Sequence, residues 1–158
     1  MSAIYENTTI SIELADRLRA MPKIELHVHL EGATDAATVW ELAQRNKVTP
    51  PVARLEEWQA MYAFRDFNHF LDVYGFAMQC MQTADDFTFM VERFLAEQAR
   101  QNVRYCEVFL SASFMLDNFP QDEVIAVLTE GIKHGKEKYD IELRFIPDIG
   151  RQVPETRH

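Results

Sequence analysis

Between Lys23 and Leu30 polar and apolar residues alternate strictly, Lys-Ile-Glu-Leu-His-Val-His-Leu, and that period of two predicts a β-strand. Leu26, Val28 and Leu30 would share one face, with Glu25, His27, His29 and Glu31 on the other and Gly32 ending the strand. Ahead of it, Pro22 stops a short helix over about residues 11–19, with Ile12 and Leu14 as apolar contacts. Downstream the period changes. Val39, Leu42 and Ala43 mark the buried side of a helix from about Asp35 to Arg45, capped by Thr34 or Asp35. Thr49-Pro50-Pro51 breaks that pattern, and a connecting stretch runs to about Ala63. Phe64, Phe67, Phe70, Leu71, Tyr74 and Met78 then recur at helical spacing as far as Met81. Thr83 and Asp86 predict the capped start of a third long helix, whose face is Phe87, Met90, Val91, Phe94 and Leu95. Val103 to Leu110 is rich in β-branched and aromatic residues and predicts a second strand. Pro120 opens a helix over Gln121–Tyr139 with Val124, Ile125, Val127, Leu128 and Ile132 inward, and Ile141 to Ile146 predicts a third strand. The tail from Pro147 to His158 has no periodicity.

Strands joined by helical crossovers lie parallel, which makes the chain α/β. A closed (β/α)8 TIM barrel needs eight strands and about 250 residues. With 158 residues and three predicted strands, residues 1–158 are expected to be one domain, the first portion of such a barrel. Its unpaired sheet edge and apolar helix faces predict an oligomer, or pairing with a missing C-terminal half. The chain is 47% hydrophobic and 26% charged, which excludes a disordered chain. Sixteen Lys and Arg against twenty-five Asp and Glu leave a net charge of −9, which disfavours nucleic acid and anionic membranes as partners. No run approaches the roughly 18 apolar residues of a membrane helix. Two cysteines, Cys80 and Cys106, are too few for a disulfide framework, and a cytoplasmic setting is expected.

His27 and His29 carry the chemistry. Residues i and i+2 of a strand point the same way, so the two imidazoles converge on one volume at the strand's carboxyl end. In α/β barrels that end holds the active site. Paired neutral imidazoles suit a divalent metal, zinc above all. With five histidines, a pair at this spacing arises by chance in roughly one sequence in ten, so spacing alone is a weak motif. Burying Glu25, His27, His29 and Glu31 together would be costly unless they served a site.

The segment Met21-Pro22-Lys23-Ile24-Glu25-Leu26-His27-Val28-His29-Leu30-Glu31-Gly32 resembles the first-strand signature of the adenosine deaminase family of metal-dependent hydrolases. Phe64-Arg65-Asp66-Phe67-Asn68-His69-Phe70-Leu71-Asp72-Val73-Tyr74 is similar to the family's aromatic helix, and Arg104-Tyr105-Cys106-Glu107-Val108 to its second strand. The resemblance implies zinc-dependent hydrolytic deamination of a 6-aminopurine nucleoside or base, adenosine to inosine and ammonia. It makes His27 and His29 zinc ligands and Glu31 a substrate contact, where many members have Asp. The aromatic helix implies pocket-lining roles for Phe64, Phe67 and Leu71, with His29 also facing substrate; ordinary core packing explains that aromatic spacing equally well. Glu107 would be an inward structural carboxylate. The family's remaining ligands, its proton-donating glutamate and a further histidine come from later strands. His69, His134 and His158 match none of those motifs, and no catalytic residue is assigned within this chain. Complete four-ligand zinc sites are worth about 10–16 kcal/mol. Equal sharing leaves two ligands about 5–8 kcal/mol, hence a Kd of roughly 1 μM to 0.2 mM. The chain alone is therefore expected to hold metal weakly and to be inactive. Two other readings fit the residues: a truncated, non-catalytic paralogue serving as a binding or assembly module, and another metal hydrolase with a His-x-His first strand.

Overall fold

The computed structural model describes residues 10–148. Helix α1 (Ile12–Ala20) starts at Ser11, whose hydroxyl accepts the Leu14 N–H, and leads into strand β1 (Lys23–His29). A single turn, α2 (Leu30–Ala33), follows the strand without a break. Asp35 then caps α3 (Ala36–Arg45) by accepting from the Thr38 N–H and hydroxyl. Next come α4 (Leu55–Met61), α5 (Phe67–Gln79) and α6 (Ala84–Arg100). Strand β2 (Val103–Leu110), helices α7 (Ala112–Asn118) and α8 (Gln121–Tyr139), and strand β3 (Glu142–Pro147) complete the order. Residues 149–158, with most of the predicted tail and His158, lie outside the described segment, as do residues 1–9.

The three strands form one parallel sheet in the order β1-β2-β3. Each crossover is helical, as parallel neighbours require. One face of the sheet is covered. Cys106, Val108, Leu110 and Leu143 are buried there beneath Met90, Val91, Phe94 and Leu95 of α6 and Val124 of α8. Helix α6 enters this layer through the predicted Thr83–Asp86 capping box. Asp86 also accepts from Asn46 Nδ2 at 2.7 Å, which ties α6 to the end of α3. Helix α8 approaches closely because Gly131 lacks a side chain: a Cβ there would stand 2.9 Å from Val91 Cγ1.

The departures from the sequence reading have local causes. The stretch expected to be a connection contains α4, whose Trp58 is fully buried and stands edge-on to Phe76 at 4.9 Å. Helix α5 begins at Phe67 rather than Phe64, because Asp66 is its N-cap and accepts the His69 N–H at 2.9 Å. Its buried side is His69, Phe76 and Ala77, so Phe67, Phe70 and Leu71 point away from the core and core packing does not explain them. Helix α7 was unforeseen. On α8, Ile125 is exposed, not inward, since the buried line runs through Val124, Gly131 and Gly135.

The alternation along β1 is also interrupted. Glu25 pairs with Cys106 and His29 with Phe109, and the register slips between Glu25 and Val28. Cys106 and Phe109 are three residues apart and so face opposite ways. Glu25 therefore sits on the helix side, apart from the histidines, and Ile24 falls beside Tyr105, where it is 64% exposed.

Candidate functional site

Because the strands are parallel, their carboxyl ends gather on one side of the sheet, and three of them bring polar groups there. His27 and His29 close β1, Ser111 follows β2, and Asp148 follows β3. The Asp148 N–H donates to the Leu110 carbonyl at 2.8 Å, which extends the ladder by one rung and fixes where Asp148 stands.

The two imidazoles share a volume as expected. Their centroids are 5.8 Å apart, and both stack on Phe109 of β2, at 4.5 Å for His27 and 5.4 Å for His29. Phe109 thus forms an apolar floor beneath the pair. Two imidazoles binding one zinc through bonds of about 2.0–2.1 Å have centroids roughly 5–6 Å apart, so the pair fits a shared ion. Asp148 Oδ2 lies 3.8 Å from His29 Nδ1. That is beyond hydrogen-bond reach, so the carboxylate faces the ring electrostatically without fixing its orientation. Among the described residues no third His, Cys, Asp or Glu completes a metal cluster. Two nitrogen donors are half of what a four-coordinate zinc site takes. Glu107, also on the Phe109 face, accepts the Tyr105 hydroxyl at 2.7 Å and takes no part in the pair.

Glu31 leaves the strand. The α2 turn carries it inward until it is only 1% exposed. Its Oε1 accepts the Ser111 N–H at 3.0 Å, and its Oε2 takes a long 3.4 Å contact from the Tyr74 hydroxyl. Burial raises the Glu31 pKa above its ordinary value, and the Ser111 N–H only partly offsets this. Burial and the facing Glu31 charge push the Tyr74 phenol up to about 12.

Beside Glu31 lies a cavity of about 160 Å³, lined by apolar Met61, Phe64, Phe70 and Val73 and by polar Tyr62, His69 and Tyr74. Tyr62 donates to the Thr34 carbonyl at 3.1 Å, and burial holds its phenol well above the ordinary range. Phe64 lines this cavity. Phe67 and Leu71 do not line it: Phe67 is 67% exposed and packs on Phe70 at 6.2 Å, and Leu71 is exposed. Sequence reasoning did not single out Ser111, Phe109, Asp148, His69 or Tyr74 as site residues. For three of them a signal was available, since Phe109, Ser111 and Asp148 stand at the carboxyl ends of predicted strands.

A family model described as adenosine deaminase matches residues 22–157. The adenine deaminase of Cupriavidus necator is 33% identical over 148 residues, which cover 93% of this chain and 42% of that protein. The chain thus spans less than half the length of the relatives it matches. Among solved structures, the adenine deaminase of Arthrobacter aurescens has a TM-score of 0.73 and 28% identity over 81% of this chain and 39% of its own. An amidohydrolase from Burkholderia ambifaria with bound zinc has a TM-score of 0.77 and 26% identity over 94% of this chain and 41% of its own.

Proposed function

The chain belongs to the adenosine deaminase family, and on that premise we propose that it supplies the first part of a metal-dependent barrel that hydrolytically deaminates a 6-aminopurine. The three parallel strands and the helical crossovers between them are the partial α/β fold such a barrel begins with. The observation that carries the reading is the convergence of the His27–His29 pair and the buried carboxyl of Glu31 at the strands' carboxyl ends. Membership in the family sets aside the reading as an unrelated hydrolase with a His-x-His strand.

His27 and His29 would hold the metal, with Phe109 beneath them and Asp148 facing His29. The Burkholderia relative's bound ion supports zinc. When bound, the ion supplies the acidity that makes water a nucleophile at neutral pH. Glu31, fixed by Ser111, presents a hydrogen-bond acceptor to the substrate beside an apolar cavity suited to a flat ring. We take the substrate to be the free base adenine, because relatives matching nearly the whole chain are named adenine deaminases. The described residues provide two nitrogen donors, so on this reading turnover depends on further donors and on a proton donor from elsewhere in the barrel. The free thiols Cys80 and Cys106 fit a reducing, cytoplasmic setting.

The test is ammonia release by the zinc-loaded, completed barrel offered adenine or adenosine. The reading expects release from adenine in preference to adenosine, abolished by His27→Ala and by His29→Ala. No release from either compound, or release unchanged in both variants, overturns it.

A further inference from the structure

Glu31, Tyr74 and Ser111 come from three separate segments: the α2 turn, the middle of α5, and the residue after β2. Ser111 touches each of the other two. Its N–H donates to Glu31 Oε1 at 3.0 Å, and its hydroxyl lies 3.1 Å from the Tyr74 hydroxyl, which in turn lies 3.4 Å from Glu31 Oε2. The contacts close a ring. An ionised carboxylate only accepts, so Tyr74 donates to Glu31 and the Ser111 hydroxyl donates to Tyr74. Every hydroxyl proton in the ring then has one destination. At 3.4 Å the Tyr74 contact is a long hydrogen bond, weaker than the Ser111 N–H bond at 3.0 Å.

We propose that Tyr74 and Ser111 are positioning residues, which hold the Glu31 carboxylate in a single orientation so that its unused acceptor capacity meets the substrate at the cavity. Neither hydrogen-bonds to the paired imidazoles, and their role is carried out through Glu31. A carboxylate has about four acceptor positions. Ser111, Tyr74 and Glu31's own backbone N–H occupy three and leave one for an N–H edge, the donor a purine base offers. Without the ring, Glu31 has other rotamers open to it, and the substrate must restrict them on binding. The loss therefore falls on KM, with kcat little changed. This inference rests on the deaminase reading for its substrate, though not for the ring itself.

The experiment compares Tyr74→Phe and Ser111→Ala in the zinc-loaded holoenzyme, each alone and combined with Glu31→Ala. Tyr74→Phe keeps the ring shape, and Ser111→Ala keeps the N–H. Each single variant is expected to raise KM for adenine about threefold to tenfold with kcat within about twofold, the size of one lost hydrogen bond. In the Glu31→Ala background the same changes should have no further effect. Equal losses in both backgrounds, or an unchanged KM, overturn the proposal, because a merely structural Tyr74 acts whether or not Glu31 is present. A crystal structure of Tyr74→Phe supplies a readout that needs no substrate. Glu31 in more than one orientation supports the positioning role, and the single wild-type orientation overturns it. Should the wild type release no ammonia from any 6-aminopurine, the deaminase reading fails, and Glu31's orientation still decides the proposal.

Discussion

Replacing Glu31 by Gln is expected to stabilise the fold at neutral pH while weakening the site. The carboxyl is 1% exposed, and removing a charge from water costs several kcal/mol even after relaxation. Against this stand the Ser111 N–H, worth about 1.5–3 kcal/mol to a charged acceptor, and the long Tyr74 contact, worth less. The raised pKa shows that burial prevails. A glutamine keeps the Ser111 bond through its amide oxygen at about 1 kcal/mol and drops the buried charge. The net gain is about 1–2 kcal/mol, or roughly 2–8 °C in Tm for a chain of 158 residues. Its pH dependence follows from the direction of the shift. The folded-state pKa lies above the ordinary 4.5, so Glu31's favourable share is fully present below 4.5 and is lost as pH rises through the folded value. The Gln variant's advantage should appear at neutral pH and vanish in acid. Thermal unfolding of both proteins between pH 4 and 8, followed by circular dichroism, reads it directly. A Gln variant less stable than wild type at neutral pH, or a difference that grows in acid, would refute the reasoning. A carboxylate kept against the stability of the fold is one kept for the site.

Two glycine substitutions should have opposite signs. Gly131→Ala brings a Cβ to 2.9 Å from the stiff side chain of Val91 and should lose about 1 kcal/mol net, overpacking outweighing the gain in helix propensity. Gly75→Ala, on α5 with nothing within 4 Å, should gain about 0.5–1 kcal/mol. Urea midpoints separate the two, and equal midpoints would contradict the close α6–α8 approach. Burial pushes the Cys80 and Cys106 thiols up to about 12, so at pH 8 roughly one in ten thousand is thiolate. A chromogenic disulfide reagent should titrate neither thiol until denaturant is added, and prompt reaction with the native protein would show that the layer is open.

The sequence revealed what depends on local pattern. The strand that carries His27 and His29, the capping box at Thr83, and the apolar stripe from Phe87 to Leu95 all follow from nearest-neighbour physics, and each reappears in the fold. What depends on partners distant in the chain was hidden. The slip between Glu25 and Val28 is set by pairing with β2, so strict alternation placed Glu25 on the wrong face. Glu31 looked like one more strand residue, and only the α2 turn, packed near α5 and α6, draws it inward. The aromatic spacing from Phe64 to Met78 looked like a single helix face. Asp66 caps the helix at Phe67 instead, and burial falls on His69, Phe76 and Ala77. Helix α4 has one fully buried residue, Trp58, too little for periodicity to show.

Titrating zinc into this chain by calorimetry tests the central assignment most directly. A paired-imidazole half-site predicts one ion bound with a Kd of roughly 1 μM to 0.2 mM, lost in both His27→Ala and His29→Ala and retained in His134→Ala. Binding no tighter than the millimolar range, or binding indifferent to His27 and His29, would contradict it.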